Sequence, residues 1–233
     1  MKAQPLTEKL LDELTGFDQS VTLNEFTQRR YLLECDKAIR VEPAEGYMCK
    51  GIVYALSNNF DKMCESFQRA RMLSPSDYLI KSNYIASLGN YGRFEELIGL
   101  VKPEEAIENS NLLHALFRAL IATAEIELLT QINPKYAQRI KQAIANQYLE
   151  LETVKQYIFL FNNLMRQKKL RFAMIPSISW LEDDGDLFVY YDFVGSASES
   201  MELMDEFDNL VAERGLKQVA RKLTIVLIPL RPC

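Results

Sequence analysis

Two stretches of this chain align when shifted by 34 positions, Asn59-Phe60-Asp61-Lys62-Met63 and Arg93-Phe94-Glu95-Glu96-Leu97. In each, an apolar residue opens a helix-period segment. Shifted back by about 32, Cys35, Ala38 and Pro43 fall on Phe67, Ala70 and Pro75. A period near this length predicts stacked helical hairpins, since one hairpin cannot bury its apolar side alone and must lean on its neighbours. Composition agrees. Only 9 Gly and 8 Pro in 233 residues leave few turns, and 48% hydrophobic with 25% charged residues is the balance of a chain that buries a core.

Within residues 44 to 75 the order of marker residues is Tyr47, Gly51, Tyr54, Phe67, Ala70 and Pro75. This order resembles the tetratricopeptide repeat, in which a first helix carries the aromatic, glycine and tyrosine, a second carries alanine and phenylalanine, and proline closes the unit. Gly51 is expected to let the paired helices approach where any Cβ would hold them apart, with Phe67 filling the gap. Pro75 is expected to end the second helix and to restrict Ser74 before it. Two positions depart from the family pattern: Lys50 stands where leucine is usual, and Met63 stands where a small alanine is usual. Met63 is expected to push the pair apart or to demand local repacking.

The flanks read as helix without the motif. Thr22-Leu23-Asn24-Glu25 has the form of a capping box for a helix running through Phe26, Arg30, Leu33 and Lys37. Residues 111 to 132 repeat apolar groups at Leu112, Leu113, Leu116, Phe117, Leu120, Ile121 and Ala124, which predicts one helix with a broad buried face. One or two more helices follow Pro134.

Near residue 170 the hydrophobic period changes from helical to extended. Residues 172–181 and 187–194 are aromatic and β-branched runs separated by an acidic, Asp-Gly-containing turn, as in a hairpin. Pro176 suits an edge strand or bulge. Ser196-Ala197-Ser198-Glu199 is a second capping box, and the helix it opens places Met201, Met204, Phe207 and Val211 on one face and ends at Gly215. The apolar run 223–230 predicts a central strand. The second face of the sheet, which carries apolar and aromatic groups like the first, is expected to pack against the helical array. The predicted fold class is therefore α+β: a mostly α-helical, tetratricopeptide-like hairpin array over 1–170, then a small antiparallel or mixed sheet with one covering helix over 171–233.

Charge is unevenly spread. Residues 1–170 hold 21 basic and 21 acidic side chains, and residues 171–233 hold 6 and 11, so the net −5 belongs to the C-terminal region. A pI near 5.2 argues against nucleic acid as the main ligand, because a phosphate backbone calls for a basic face. The first residues carry no apolar leader core and no stretch reaches the ~20 apolar residues of a membrane span, which points to a cytoplasmic protein that binds no membrane. Cys35, Cys49, Cys64 and Cys233 form no C-x-x-C pair and read as structural thiols.

Candidate chemistry is sparse. His114 is the one histidine and is expected to be structural or exposed rather than the base of a Cys-His pair. Glu182, Asp183, Asp184 and Asp186 offer hard oxygens but lack the spacing of a calcium loop, and read as a solvated turn. Gly195-Ser196 followed by Glu206 and Asp208 resembles the nucleotidyltransferase pattern, in which carboxylates hold magnesium; here those carboxylates fall in a helix-period segment on different faces. No catalytic residue, metal or cofactor is assigned.

Two surfaces remain as binding candidates. The tetratricopeptide resemblance implies a groove along the first helix of each repeat, here Glu45, Met48, Ile52, Ala55 and Leu56, then Ser82, Ala86 and Asn90. The C-terminal domain or terminal helices are the competing occupants of that groove. The second surface is an acidic stripe at Glu199, Glu202, Glu206 and Glu213, suited to a basic partner. The reading is a non-enzymatic protein-interaction module, monomeric or homodimeric, that binds and masks or chaperones another protein or peptide, a basic one by charge. Secretion chaperones and toxin-neutralising proteins of helical-repeat form carry such roles by resemblance. Two alternatives stay open: a metal-dependent enzyme of nucleotidyltransferase type in the C-terminal domain, and a homodimeric structural adaptor.

Overall fold

The computed structural model describes residues 6–18, 20–172, 180–183 and 186–230. The fold is α+β and mostly helical, and its many short packed helices are compatible with a helical repeat. The chain groups into two compact units that part between Ser87 and Leu88. The change of hydrophobic period near residue 170 therefore falls inside the second unit.

The first unit contains α1 (Leu6–Thr15), α2 (Glu25–Ile39), α3 (Pro43–Leu56), α4 (Phe60–Leu73) and most of α5 (Tyr78–Asn90). Helix α2 begins two residues later than a capping box at Thr22 predicts, because Asn24 takes the cap and its side-chain oxygen accepts the Thr27 amide at 2.9 Å. Pro43 opens α3, where its missing N–H would have had no helical partner in any case. Helices α3 and α4 form a hairpin, with α2 and α1 packed on α3. A Cβ on Gly51 would sit 2.7 Å from the Phe67 ring, so the close approach foreseen for this pair is present. Phe67 and Ala70 are wholly buried, as are Cys35 and Ala38, their counterparts on α2. Met63 is also fully buried without separating the two helices at Gly51. Lys50 resolves its place in the pattern by pairing with Asp36 of α2 at 2.8 Å.

The second unit holds α6 (Phe94–Leu100), α7 (Pro103–Ile107), α8 (Ser110–Ala122), α9 (Ile126–Ile132), α10 (Pro134–Asn146) and α11 (Leu151–Gln167). The single helix expected over 111–132 is two. Its apolar period continues across the break, but Ala124 adopts a left-handed φ of 53° and turns the chain back. That turn is a repeated device. Asn58, Gly92 and Ala124 all have positive φ, 34 and 32 positions apart, and the residue after each donates its amide to the carbonyl five back: Asn59 to Tyr54, Arg93 to Leu88 and Glu125 to Leu120, at 2.9 to 3.0 Å. The second helix starts two residues after each turn, at Phe60, Phe94 and Ile126, and Met63, Leu97 and Leu129 are buried at equivalent places. The α8–α9 turn thus repeats the geometry of the α3–α4 turn, with an alanine at the positive-φ position.

The sheet consists of β1 (Trp180–Asp183), β2 (Asp186–Val194) and β3 (Leu223–Leu230), in that order, with β1 antiparallel and β3 parallel to β2. Between β2 and β3 run α12 (Ala197–Glu213) and the short α13 (Lys217–Ala220). The central strand is β2, and β3 lies at the edge of the described sheet, against the expectation from its apolar run. Its apolar character has another cause: Leu223, Ile225 and Leu227 are buried with the core face, while Thr224 and Ile228 are exposed. That face is covered twice, by α12 and by α11, whose Phe161 ring lies 4.7 Å from Tyr191 of β2 and 5.3 Å from Phe207 of α12. On the opposite face Phe188 and Tyr190 stack with ring centroids 6.2 Å apart and are half-buried. On α12 the buried stripe is Ser200, Leu203, Phe207 and Val211; Met201 is 70% exposed, so the buried face is turned away from the Met201 and Met204 edge. Gly215 ends this region with a left-handed φ of 71°, as its position predicts. Among the described residues no helix is long and apolar enough to cross a membrane. Pro176 and Cys233 lie outside the described residues.

Candidate functional site

The first helices α1, α3 and α5 of the N-terminal unit border a cavity of about 270 Å³. Helix α1 contributes Thr7, Glu8 and Leu11, the start of α3 contributes Glu42, Glu45 and Met48, and α5 contributes Leu79. Leu11, Met48 and Leu79 make its apolar part, and three carboxylates make its polar part. Glu45 sits there for a local reason, since an acid in the first turn of α3 is favoured by the helix dipole. Glu42 precedes Pro43 as the α3 cap residue and gives no side-chain cap bond, which leaves its carboxylate to face Thr7.

Thr7 is 4% exposed, and its hydroxyl contacts Glu42 Oε2 and lies 3.0 Å from Glu45 Oε2. A hydroxyl carries one proton and donates to one acceptor at a time. Two carboxylates therefore compete for a single donor. Their field reaches the core: the Cys49 thiol is pushed up to about 12, first by burial and then by the charges of Glu45 and Glu42. Cys35 is raised further, mainly by burial, so neither thiol is a nucleophile at neutral pH.

The structure brings Glu45 and Met48 to this cavity and disperses the other groove residues. Ile52, Ala55 and Leu56 are buried farther along α3, and Leu23 donates its amide to Leu56 O at 2.9 Å. Ser82 is half-buried with its hydroxyl donating to Leu79 O at 3.0 Å. Ala86 is half-buried, and Asn90 belongs to the second unit, where its carbonyl accepts the Phe172 amide at 2.7 Å. Thr7, Glu8, Leu11 and Glu42 escape a sequence reading because α1 lies before the recognisable motif and has no marker residue to set its phase. Asn83 is missed for another reason: its amide reaches Met48 Sδ at 3.7 Å, a contact between helices that spacing alone does not reveal.

On α12 the acidic stripe is divided by its contacts. Glu199 closes a capping box, accepting the Ser196 amide at 2.7 Å and hydroxyl at 2.9 Å, and those bonds hold its carboxyl below the usual range. Glu206 pairs with Lys168 at 2.6 Å. Glu202 and Glu213 are exposed, and Asp205 and Asp208 are exposed with them. The open acidic face is therefore Glu202, Asp205 and Asp208 beside exposed Met201, not the stripe read from spacing. Gly195 serves packing, since a Cβ there would collide with the Phe193 ring. His114 is exposed on α8. The side chains of the acidic turn at 182–186 lie outside the described residues.

Comparison of the chain with protein-family models, with curated proteins and with solved structures gives no match.

Proposed function

We propose that this chain is a non-enzymatic interaction module of tetratricopeptide-like type, which binds and masks or chaperones a basic protein segment in the cytoplasm. The observation that carries the reading is the cavity on α1, α3 and α5, where Glu8, Glu42 and Glu45 surround Leu11, Met48 and Leu79. A lysine or arginine side chain matches both parts, its alkyl stem lying on the apolar residues and its charge on the carboxylates. The exposed acids Glu202, Asp205 and Asp208 supply a second negative surface, which raises the encounter rate of a basic partner.

The test is capture from a native extract on the tagged chain at low and high salt, in parallel with a Glu42→Gln/Glu45→Gln double variant. A stoichiometric basic protein, lost at high salt and lost from the variant, is the expected result. A partner retained equally by the variant and at high salt removes the cavity from the account. Thermal stabilisation by magnesium with a nucleotide, and no retained protein, moves the function to the enzymatic alternative.

A further inference from the structure

We propose that the second unit carries a separate site for an alkylguanidinium group, such as an arginine side chain. This goes beyond the docking reading, because none of its residues belongs to the first-helix cavity. The site is a cavity of about 260 Å³ lined by Glu95, Thr123, Glu125, Lys155, Gln156, Phe159 and Asn162.

Asn162 is the main observation. It is 1% exposed, and its Nδ2 donates to Ala122 O at 2.8 Å, a bond that only the amide nitrogen can make and that fixes which end of the amide is the oxygen. Oδ1 is thereby left buried and finds no hydrogen-bond donor among the described residues. A buried amide oxygen without a donor has lost its water and gained nothing in return. A ligand that brings an N–H to this oxygen recovers the loss.

The charges around the cavity select a cationic donor. Lys155 Nζ lies 3.0 Å from Glu125, 3.8 Å from Glu127 and 4.0 Å from Glu152. Arg166 pairs with Glu95 at 2.5 Å. Glu95 and Glu125 line the cavity, each beside one cation, and the exposed Glu127 and Glu152 near Lys155 add further negative charge at its border. Burial draws the Lys155 ammonium down, but its bond to Glu125 and the charges of Glu125, Glu127 and Glu152 outweigh that and raise it, so Lys155 stays charged at neutral pH.

The wall selects a planar cation. Phe159 is 55% exposed, and the Arg166 guanidinium already lies 5.4 Å from its ring centroid. An aromatic ring beside carboxylates and a lone amide acceptor suits a guanidinium, which stacks as a plane while its fork of N–H groups reaches several oxygens at once. An ammonium has no plane to stack.

The experiment uses the full chain, labelled with nitrogen-15, titrated with N-acetyl-arginine methylamide and separately with its neutral citrulline analogue. The expected result is saturable movement of the Asn162 side-chain amide and the Gln156 backbone signal with the arginine probe, and about tenfold weaker binding of citrulline, the size of one charge-assisted interaction. Phe159→Ala, which also removes the ring beside Arg166 and is therefore checked for folding by its melting curve, is expected to weaken the arginine probe at least about fivefold. Equal binding of both probes, unchanged binding to the folded Phe159→Ala variant, or no movement at Asn162 up to saturation of the probe would each overturn the proposal. Movement confined to Thr7, Glu42 and Glu45 would also overturn it while leaving the first-helix docking site standing.

Discussion

The Phe67 ring occupies the space that a side chain on Gly51 would need, with Cδ2 and Cε2 at 2.7 and 2.8 Å from the position of a Cβ. Phe67 is fully buried and touches Tyr84 of α5 as well, ring centroid to ring centroid at 5.2 Å, so it has no free direction in which to move. Gly51→Ala gains about 1 kcal/mol of helix propensity. Overpacking of a filled core costs about 1–3 kcal/mol and exceeds that gain when the blocked neighbour is an immobile ring. The expected net loss is about 1 kcal/mol, read from the urea midpoint at constant slope. Combining the change with Phe67→Leu, which opens the space, is expected to cost less than the sum of the two single changes. Strict additivity would show that the two positions do not meet.

Tyr191 of β2 is wholly buried against Phe161 and Phe172, and its hydroxyl has no hydrogen-bond partner among the described residues. Burial raises its ionisation well above the ordinary tyrosine range, so the hydroxyl stays neutral. Removing an unpaired buried hydroxyl while keeping the ring removes a desolvation penalty and little else. Tyr191→Phe is expected to leave stability unchanged or to raise it by up to about 1 kcal/mol, measured by thermal and urea unfolding. A loss larger than that would reveal a bond to this hydroxyl.

The Ser196–Glu199 capping box ties the start of α12 to both partners' backbones. Ser196→Ala is expected to cost about 1 kcal/mol. The Glu199 carboxyl is held down in the folded chain by the Ser196 amide and hydroxyl, so it releases its proton more readily folded than unfolded. The stability this gives is present above the unfolded value of about 4.3 and is lost as pH falls through the lower folded value. A Glu199→Gln variant should therefore differ from the parent at pH 7, and the gap should close on acidification below about pH 4. A gap that persists unchanged at pH 2.5 would assign the effect to shape rather than charge.

The helical hairpins were legible because their punctuation is local. Gly51, Phe67 and Pro75 act on neighbours within one hairpin, and their spacing reports that directly. The break at Ala124 was not legible, because its left-handed turn is made by an alanine, a residue whose side chain does not advertise positive φ. The groove residues on α3 were legible as a phase, which put Glu45 and Met48 at the cavity, but their partners Thr7 and Glu42 come from a helix and a cap with no motif.

By itself the sequence determined the class of the fold and the excess of acid in the last quarter of the chain, since each is set by periodicity, local backbone preference or composition. Tertiary structure decided which strand is central, which edge of α12 is buried, and which acids remain open, because these depend on what arrives from elsewhere: β2 between two strands, Phe161 against Phe207, Lys168 on Glu206. It also decided the state of Asn162. One bond to Ala122, forty residues away, fixes its amide and leaves its oxygen buried, and no pattern of neighbours along the chain carries that information.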